Sequence, residues 1–344
     1  MKRAALLALA AAALFGAGAP VAKRLLAEVA PAMLAALLYA GAGLMALPFA
    51  ASAWRRREAP LRRADAPLLA GVIAFGGVAG PLLLLYGLDR TSASLASLLL
   101  NLEAVFTVVI AVVVFREWIG ARGVGALVIV VAGCALSTFA AGGATRAFIG
   151  PLAVAGACVA WAIDNNLTQR LSLRDPLAVV AVKGLGAAPV ALAIARLTGA
   201  PWPSLRGLAG GLVLGALSYG VSLALYVRAT RALGAARTGT LFAAAPFIGA
   251  ALAIPIAGEP PSLRLWGAGL LIAGGVALLL SEQHAHLHTH EPLDHEHLHT
   301  HDDAHHRHEH HGDEGPAPHS HAHRHDPQTH AHEHASDAHH RHKH

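Results

Sequence analysis

ASLASLLLNLEAVFTVVIAVVVF, residues 93–115, carries one formal charge, Glu103, in a run built mainly from Leu, Val, Ala, Ile and Phe. At 1.5 Å per residue a helix of this length covers about 35 Å, a little more than the ~30 Å hydrocarbon core of a bilayer. The stretch reads as a membrane-crossing helix with an acid near its middle. The same reading extends outward on both sides.

Nine further apolar windows accompany it, near 4–22, 32–53, 66–87, 120–140, 149–169, 177–198, 207–227, 236–257 and 265–281. Hydrophobic residues make up 55% of the chain and charged ones 14%, too few charges to cover a soluble domain of this size. The expected fold is an all-α membrane protein with ten transmembrane helices. Met1-Lys2-Arg3 ahead of Ala4–Phe15 imitates a secretory signal, yet a second apolar span follows at once and the segment has a counterpart later in the chain. It is therefore expected to stay as the first transmembrane helix. Cys134 and Cys158 both lie inside apolar windows and read as small buried hydrophobes, not as a disulfide.

Lysine and arginine set the expected orientation. With the N-terminus inside, the inner loops hold fourteen basic residues, densest over Arg55–Arg63, and the outer loops seven. The chain is then a multi-pass protein of the cell inner membrane with both termini cytoplasmic.

The chain also repeats. Phe15-Gly16 to Lys23-Arg24-Leu25-Leu26 lines up with Trp161-Ala162 to Gln169-Arg170-Leu171-Ser172, and Pro31 with Pro176. Val105-Phe106 to Phe115-Arg116-Glu117 lines up with Phe247-Ile248 to Ala257-Gly258-Glu259. Each half has five windows, an odd number, so the second copy enters the membrane upside down, the arrangement of many secondary transporters. Three segments follow: a first five-helix repeat over 1–146, a second over 147–283, and a tail over 284–344.

Leu88-Asp89-Arg90-Thr91-Ser92-Ala93-Ser94, running through Asn101-Leu102-Glu103-Ala104-Val105-Phe106 to Phe115-Arg116-Glu117, resembles the fourth-helix signature of EamA-type drug/metabolite transporters. Ala229-Thr230-Arg231-Ala232-Leu233-Gly234-Ala235, through Ala245-Pro246 to Gly258-Glu259, resembles its second copy. The resemblance covers about residues 1–281. It implies ten helices in two EamA repeats, both termini inside, and movement of small solutes, often outward. Ala104 departs from the pattern, standing where the second copy has Pro246.

A charge at the bilayer centre costs at least ~2.5–3.5 kcal/mol, so such residues face a cavity or a partner. Glu103, with Asn101 two residues before it, is one candidate for a cation, proton or amine site; its counterpart in the second half is the uncharged Ala245. The others are Asp164, with Asn165 and Asn166, and Lys183. Asp164 lies six residues before Arg170 and Lys183 seven after Pro176, which sets both roughly 9–10 Å from one membrane edge, at matched depth for an ion pair. Trp161 and Phe15 occupy matching places and offer aromatic walls.

Every one of the 24 histidines falls between His284 and His344. Residues 1–283 carry a net charge of +12, and residues 284–344 carry −7 with His neutral. Pro292, Pro316, Pro318 and Pro327 punctuate this tail, which has no aromatic residue and reads as disordered and cytoplasmic. Closely spaced imidazoles suit Zn²⁺, Ni²⁺, Co²⁺ or Cu²⁺. The candidate ligands are His295, His297, His299, His301, His305, His306, His308, His310, His319, His321, His323 and His325.

The chain has no Gly-rich phosphate loop, no His-Glu-x-x-His, and no His before 284, so no catalytic residue is assigned and no enzyme activity is expected. The expected function is secondary transport of a small organic metabolite or drug-like solute by alternating access, as an exporter with a metal-binding tail. Two rivals are a Zn/Ni/Co transporter whose tail collects the ion, and a metal-sensing membrane protein. The expected partners are the solute, the lipid bilayer and transition-metal ions, not nucleic acid. The chain is expected as a monomer or homodimer with no required cofactor.

Overall fold

The computed structural model describes residues 2–51, 59–116, 119–140, 148–171, 174–281, 284–290, 293–299, 319–325 and 328–334. The body is all-helical. In chain order the helices are α1 Lys2–Leu25, α2 Pro31–Ala51, α3 Arg63–Arg90, α4 Ala93–Val114 and α5 Ala121–Phe139. They continue with α6 Ile149–Gln169, α7 Pro176–Leu197, α8 Leu205–Leu233, α9 Arg237–Ala257 and α10 Leu263–Leu280. Among the described residues nine of them are long and apolar enough to cross a membrane. The remaining helix, α6, falls short of that apolarity. That helix has 21 residues, but Asp164-Asn165-Asn166 and Gln169 dilute its hydropathy.

Turns 26–30, 91–92, 198–204 and 258–262 gather at one end of the bundle, the far face. Residues 59–62, 116, 119–120, 170–171 and 174–175 lie at the other, the near face, where Asp175 donates its N–H to the Ala59 carbonyl and Arg174 pairs with Asp65 at 2.9 Å. Short polar side chains start several helices by accepting from the first turn: Ser92 from Leu95 N–H, Asp175 from Leu177 N–H, Ser204 from Gly207 N–H and Ser262 from Leu265 N–H. Pro176 follows its cap directly, where its missing N–H costs nothing.

Five helices depart from α geometry. α1 is interrupted at Ala17, α4 at Leu100-Asn101 and α9 at Ala243-Ala244. α3 contains a π-helical segment, Val72–Ala79, and α8 another, Ala216–Val221. The break in α4 needs no proline: Ala104 stands there, whereas Pro246 opens the second part of α9. α4 and α9 also end alike, on left-handed residues Arg116 (φ 57°) and Gly258 (φ 72°).

α2 runs through the centre, with Met33, Leu34 and Leu38 buried, and packs lengthwise on α7. The two backbones approach at Gly43 and Gly184, where a Cβ on Gly184 would sit 2.7 Å from the Gly43 Cα. No side chain fits there, and small residues let helices close in this way where lipid offers no hydrophobic drive. Outside, the surface stays apolar: Val113 is 71% and Leu270 75% exposed. Such a surface belongs in hydrocarbon.

In the tail, the described residues depart from the disorder expected there. Four seven-residue strands, β1 His284–His290, β2 Leu293–His299, β3 His319–His325 and β4 Gln328–His334, pair antiparallel as β1 with β4 and β2 with β3. The His-x-His alternation has the strand period of two, and Pro292 and Pro327 fall between strands, not inside them.

Replacing Gly184 by Val is expected to separate α2 from α7 and lower the melting temperature in detergent, since overpacking costs about 1–3 kcal/mol even where side chains can shift. Gly125→Ala, whose Cβ meets nothing within 4 Å, should leave it unchanged. Equal melting temperatures for the two variants would refute close backbone contact at Gly184.

Candidate functional site

A cavity of about 440 Å³ lies inside the helical body, bounded by α1, α2, α4, α6, α7, α8 and α9. Its polar side holds Glu103, Asp164, Asn165 and Lys183, and its apolar side holds Phe15, Tyr39, Trp161, Tyr219, Tyr226 and Phe242. Five of the sequence candidates therefore meet in one place: Glu103, Asp164, Asn165, Lys183 and Trp161. Phe15 joins them from the first half.

Lys183 and Asp164 form an ion pair across α7 and α6. The Asp164 side chain is 6% exposed and that of Lys183 19%, and the Thr168 hydroxyl donates to the second Asp164 oxygen at 3.3 Å. Gly76, in the π-helical segment of α3, makes room for this carboxylate. A Cβ there would strike the Asp164 carboxylate itself. The same residue's carbonyl accepts from the Tyr39 hydroxyl at 2.6 Å and from the Trp161 indole N–H at 3.1 Å. One irregular turn thus orients the ion pair and two of the aromatic walls.

Glu103 is held differently. It opens the second part of α4, just after the break, and accepts from Asn165 Nδ2 at 2.8 Å. Asn165 also reaches the Thr107 hydroxyl at 3.4 Å, and that hydroxyl donates to the Glu103 backbone carbonyl at 2.7 Å. Among the described residues Glu103 has a neutral amide as its partner and no cation in salt-bridge contact. Two carboxyl groups and one ammonium line the cavity, so the polar side leans toward binding positive charge.

The aromatic side is continuous. Tyr39 contacts Tyr219 (centroids 5.7 Å apart), Tyr219 contacts Phe15 edge-on (5.8 Å), Phe15 contacts Phe242 (5.4 Å), and Phe242 contacts Tyr226 edge-on (5.1 Å). Behind them, Ser218 and Ser222 donate to the Leu14 and Ala11 carbonyls and tie α8 to α1.

Two candidates stand apart. Asn101 is buried and donates to the Leu98 carbonyl at 2.8 Å, which closes the break in α4. Asn166 donates to the Ala162 and Thr107 carbonyls at 2.8 and 3.3 Å and stitches α6 to α4. Neither lines the cavity. Tyr39, Tyr219, Tyr226 and Phe242 were not among the candidates read from sequence. Scarcity was the available signal: the chain has four tyrosines, and three of them line this cavity.

Among the expected metal ligands, His295, His297 and His299 lie on β2, and His319, His321, His323 and His325 on β3. The register sets His295 opposite His323, His297 opposite His321 and His299 opposite His319. His301, His305, His306, His308 and His310 lie outside the described residues. Among the described residues of the helical body, no three His, Cys, Asp or Glu gather as a metal site.

A model of the EamA-like transporter family matches residues 2–139 and again residues 148–281. The chain belongs to the EamA-like transporter family. It is 28% identical over 282 residues to an uncharacterized transporter of Methanothermobacter thermautotrophicus (strain Delta H), an alignment covering 77% of this chain and 82% of that one. A solved crystal structure superimposes with a TM-score of 0.59 at 23% identity, over 80% of this chain and 97% of the other, a likeness of fold. This EamA-family chain is accordingly a multi-pass membrane transporter, and the cavity sits where its two matched segments meet.

Neutralising one member of the Asp164–Lys183 pair strands the other charge, an effect of about 3–5 kcal/mol for a buried pair and less here because Lys183 is partly open. Asp164→Asn and Lys183→Met are each expected to lower the melting temperature in detergent. The double variant should lose less than the sum of the two. Strict additivity would mean the pair contributes nothing.

Proposed function

We propose that the protein is a secondary transporter that carries a small organic solute bearing a positively charged or proton-donating group and an apolar body. The observation that carries this reading is the two-sided cavity. Glu103, free of any cationic partner among the described residues, faces a continuous arc of rings. An ammonium group would find a carboxylate and ring faces together, the combination that attracts cations in a water-poor site. A solute that competes with the Glu103 proton would couple its movement to a proton gradient, with export as the direction.

Alternating access would come from two inverted five-helix repeats, 1–146 and 147–283, in ten spans with both termini cytoplasmic. Supporting this are the two separate family matches, the π-helical segments of α3 and α8, the breaks in α4 and α9, and the left-handed ends at Arg116 and Gly258. The near face is then the cytoplasmic one. Metal as cargo finds less support. Asp164 is taken by Lys183, and the Cys134 and Cys158 thiols lie against the Leu98 and Leu99 carbonyls and do not line the cavity.

Transport is tested with purified protein in liposomes against panels of organic amines, amino acids, nucleosides and divalent metals. Glu103→Gln should insert normally yet lose transport by about tenfold or more, the equivalent of ~1.4 kcal/mol of solute contact. It should also flatten the pH profile. Unaltered transport from pH 5 to 8 would leave Glu103 a structural acid and remove proton coupling.

The tail is proposed as a cytoplasmic metal-responsive element. Histidines are register partners in β2–β3 and again in β1–β4 at His284/His334, His286/His332 and His288/His330. A chain ending at Glu282 should still carry the organic solute but lose any response to added Zn²⁺ or Ni²⁺. A metal response that survives truncation would move the sensing into the helical body.

A further inference from the structure

The far face is fastened by contacts that cross between the two family-matched segments. Glu259, in the turn after α9, sets its carboxylate on the start of α4. It accepts from the Ala93 N–H, from the Ser94 N–H at 3.0 Å and from the Ser94 hydroxyl at 2.5 Å. Arg24, at the end of α1, donates Nε to the Ile256 carbonyl at 2.5 Å. Within the first segment, Lys23 donates Nζ to the Leu88 and Asp89 carbonyls at 2.7 and 3.1 Å. The ends of α1, α3, α4 and α9 are thereby joined at one point.

A tight layer lies between this clasp and the cavity. All seven residues of Ala93–Leu99 are buried. Beside them α1 meets α9 backbone to backbone, since a Cβ on Gly249 would come 2.7 Å from the Gly16 carbonyl oxygen and 2.8 Å from Ser97 Oγ. Arg24 is nine residues beyond the cavity residue Phe15 along α1, about 13 Å of helix. On the other side the cavity reaches toward the near face through Val180 and Tyr226. The main cavity stops short of the far face and reaches toward the near one, while a separate apolar pocket of about 250 Å³, lined by Ser94, Leu98, Ala250 and Ser262, lies beside the clasp. Within the closed layer Ser97 Oγ is buried without a hydrogen-bond partner among the described residues. Closing this layer forfeits a bond that water would supply if it parted.

We propose that Glu259 is the latch of a far-side gate. Its carboxylate holds the first part of α4 against the second part of α9 by charge-assisted hydrogen bonds. Releasing it lets these segments part along the Gly16–Gly249–Ser97 layer, so that the cavity opens to the far face. The proposal rests on the alternating-access reading, but its test needs no transported solute.

The test reads solvent access by thiol labelling in a background with Cys134→Ala and Cys158→Ala. A membrane-impermeant maleimide is applied to reconstituted protein from each face in turn. With Glu259 intact, Ser97→Cys should react slowly from the far face and Val180→Cys readily from the near face. With Glu259→Ala, labelling at 97 should rise by about tenfold or more, the population shift expected from losing even one of its three charge-assisted hydrogen bonds, while labelling at 180 falls. Trp202→Cys, in an exposed far-face turn, should react equally in both. Unfolding would raise labelling at 97 and 180 together. An unchanged rate at 97, or a joint rise, overturns the latch. The reciprocal change supports it even if every solute tried in liposomes fails to move.

Discussion

Inside hydrocarbon an N–H or C=O without a partner is expensive, and that constraint governs where this protein is allowed to be irregular. The π-helical segment of α3 and the break in α4 are each matched by groups that take up backbone polarity. The Gly76 carbonyl, in the π-helical segment of α3, receives Tyr39 and Trp161. At the break in α4, Leu98 receives Asn101 Nδ2 and Leu99 receives the Cys158 thiol. These irregular turns cluster around the cavity, where side chains from neighbouring helices can reach them. The functional site is therefore not carved out of a regular bundle. It is the region in which regularity is given up.

Within that region the two carboxylates have different work. Asp164 is neutralised by Lys183 and wedged against Gly76, which makes it part of the frame. Among the described residues Glu103 keeps only the amide of Asn165 and a place at the start of a helix segment. A carboxylate matched to an ammonium offers little to a second cation; one matched to a neutral amide retains its appetite for charge. The asymmetry between Glu103 and its counterpart Ala245 means that the solute would meet one acidic wall and one aromatic wall, not two similar ones.

Much of this was legible in the sequence, for identifiable reasons. Helix positions follow from apolar length, and the Asp164–Lys183 contact from equal depth on helices joined by a short turn. Intramembrane charges are so rare that Glu103, Asp164 and Lys183 pointed to the cavity by themselves. Asn101 and Asn166 misled because an amide mid-span looks the same whether it faces a solute or mends a break. The tyrosines of α2 and α8 were missed because an aromatic in an apolar run has no periodic mark, and only the fold reveals that Tyr39 and Tyr219 touch. Helix α6 illustrates a trade: the residues that equip it for polar contact are those that lower its apolarity below that of the other long helices. The tail strands were hidden because a composition lacking aromatic residues argues against a core, and a two-stranded ribbon needs none.

The π-helical segments of α3 and α8 have a consequence for sequence change. A π turn accommodates one residue more than an α-helix of equal length. Losing a single residue within Val72–Ala79 or Ala216–Val221 would let the segment relax to ordinary α-helix, with the flanking residues keeping their faces. The same deletion a turn away would rotate everything beyond it by about 100° and turn lipid-facing leucines inward. At these two places the chain tolerates a change of length that elsewhere in the bundle would scramble its register, and the carbonyl offered by Gly76 would be withdrawn without disturbing the helix that carries it.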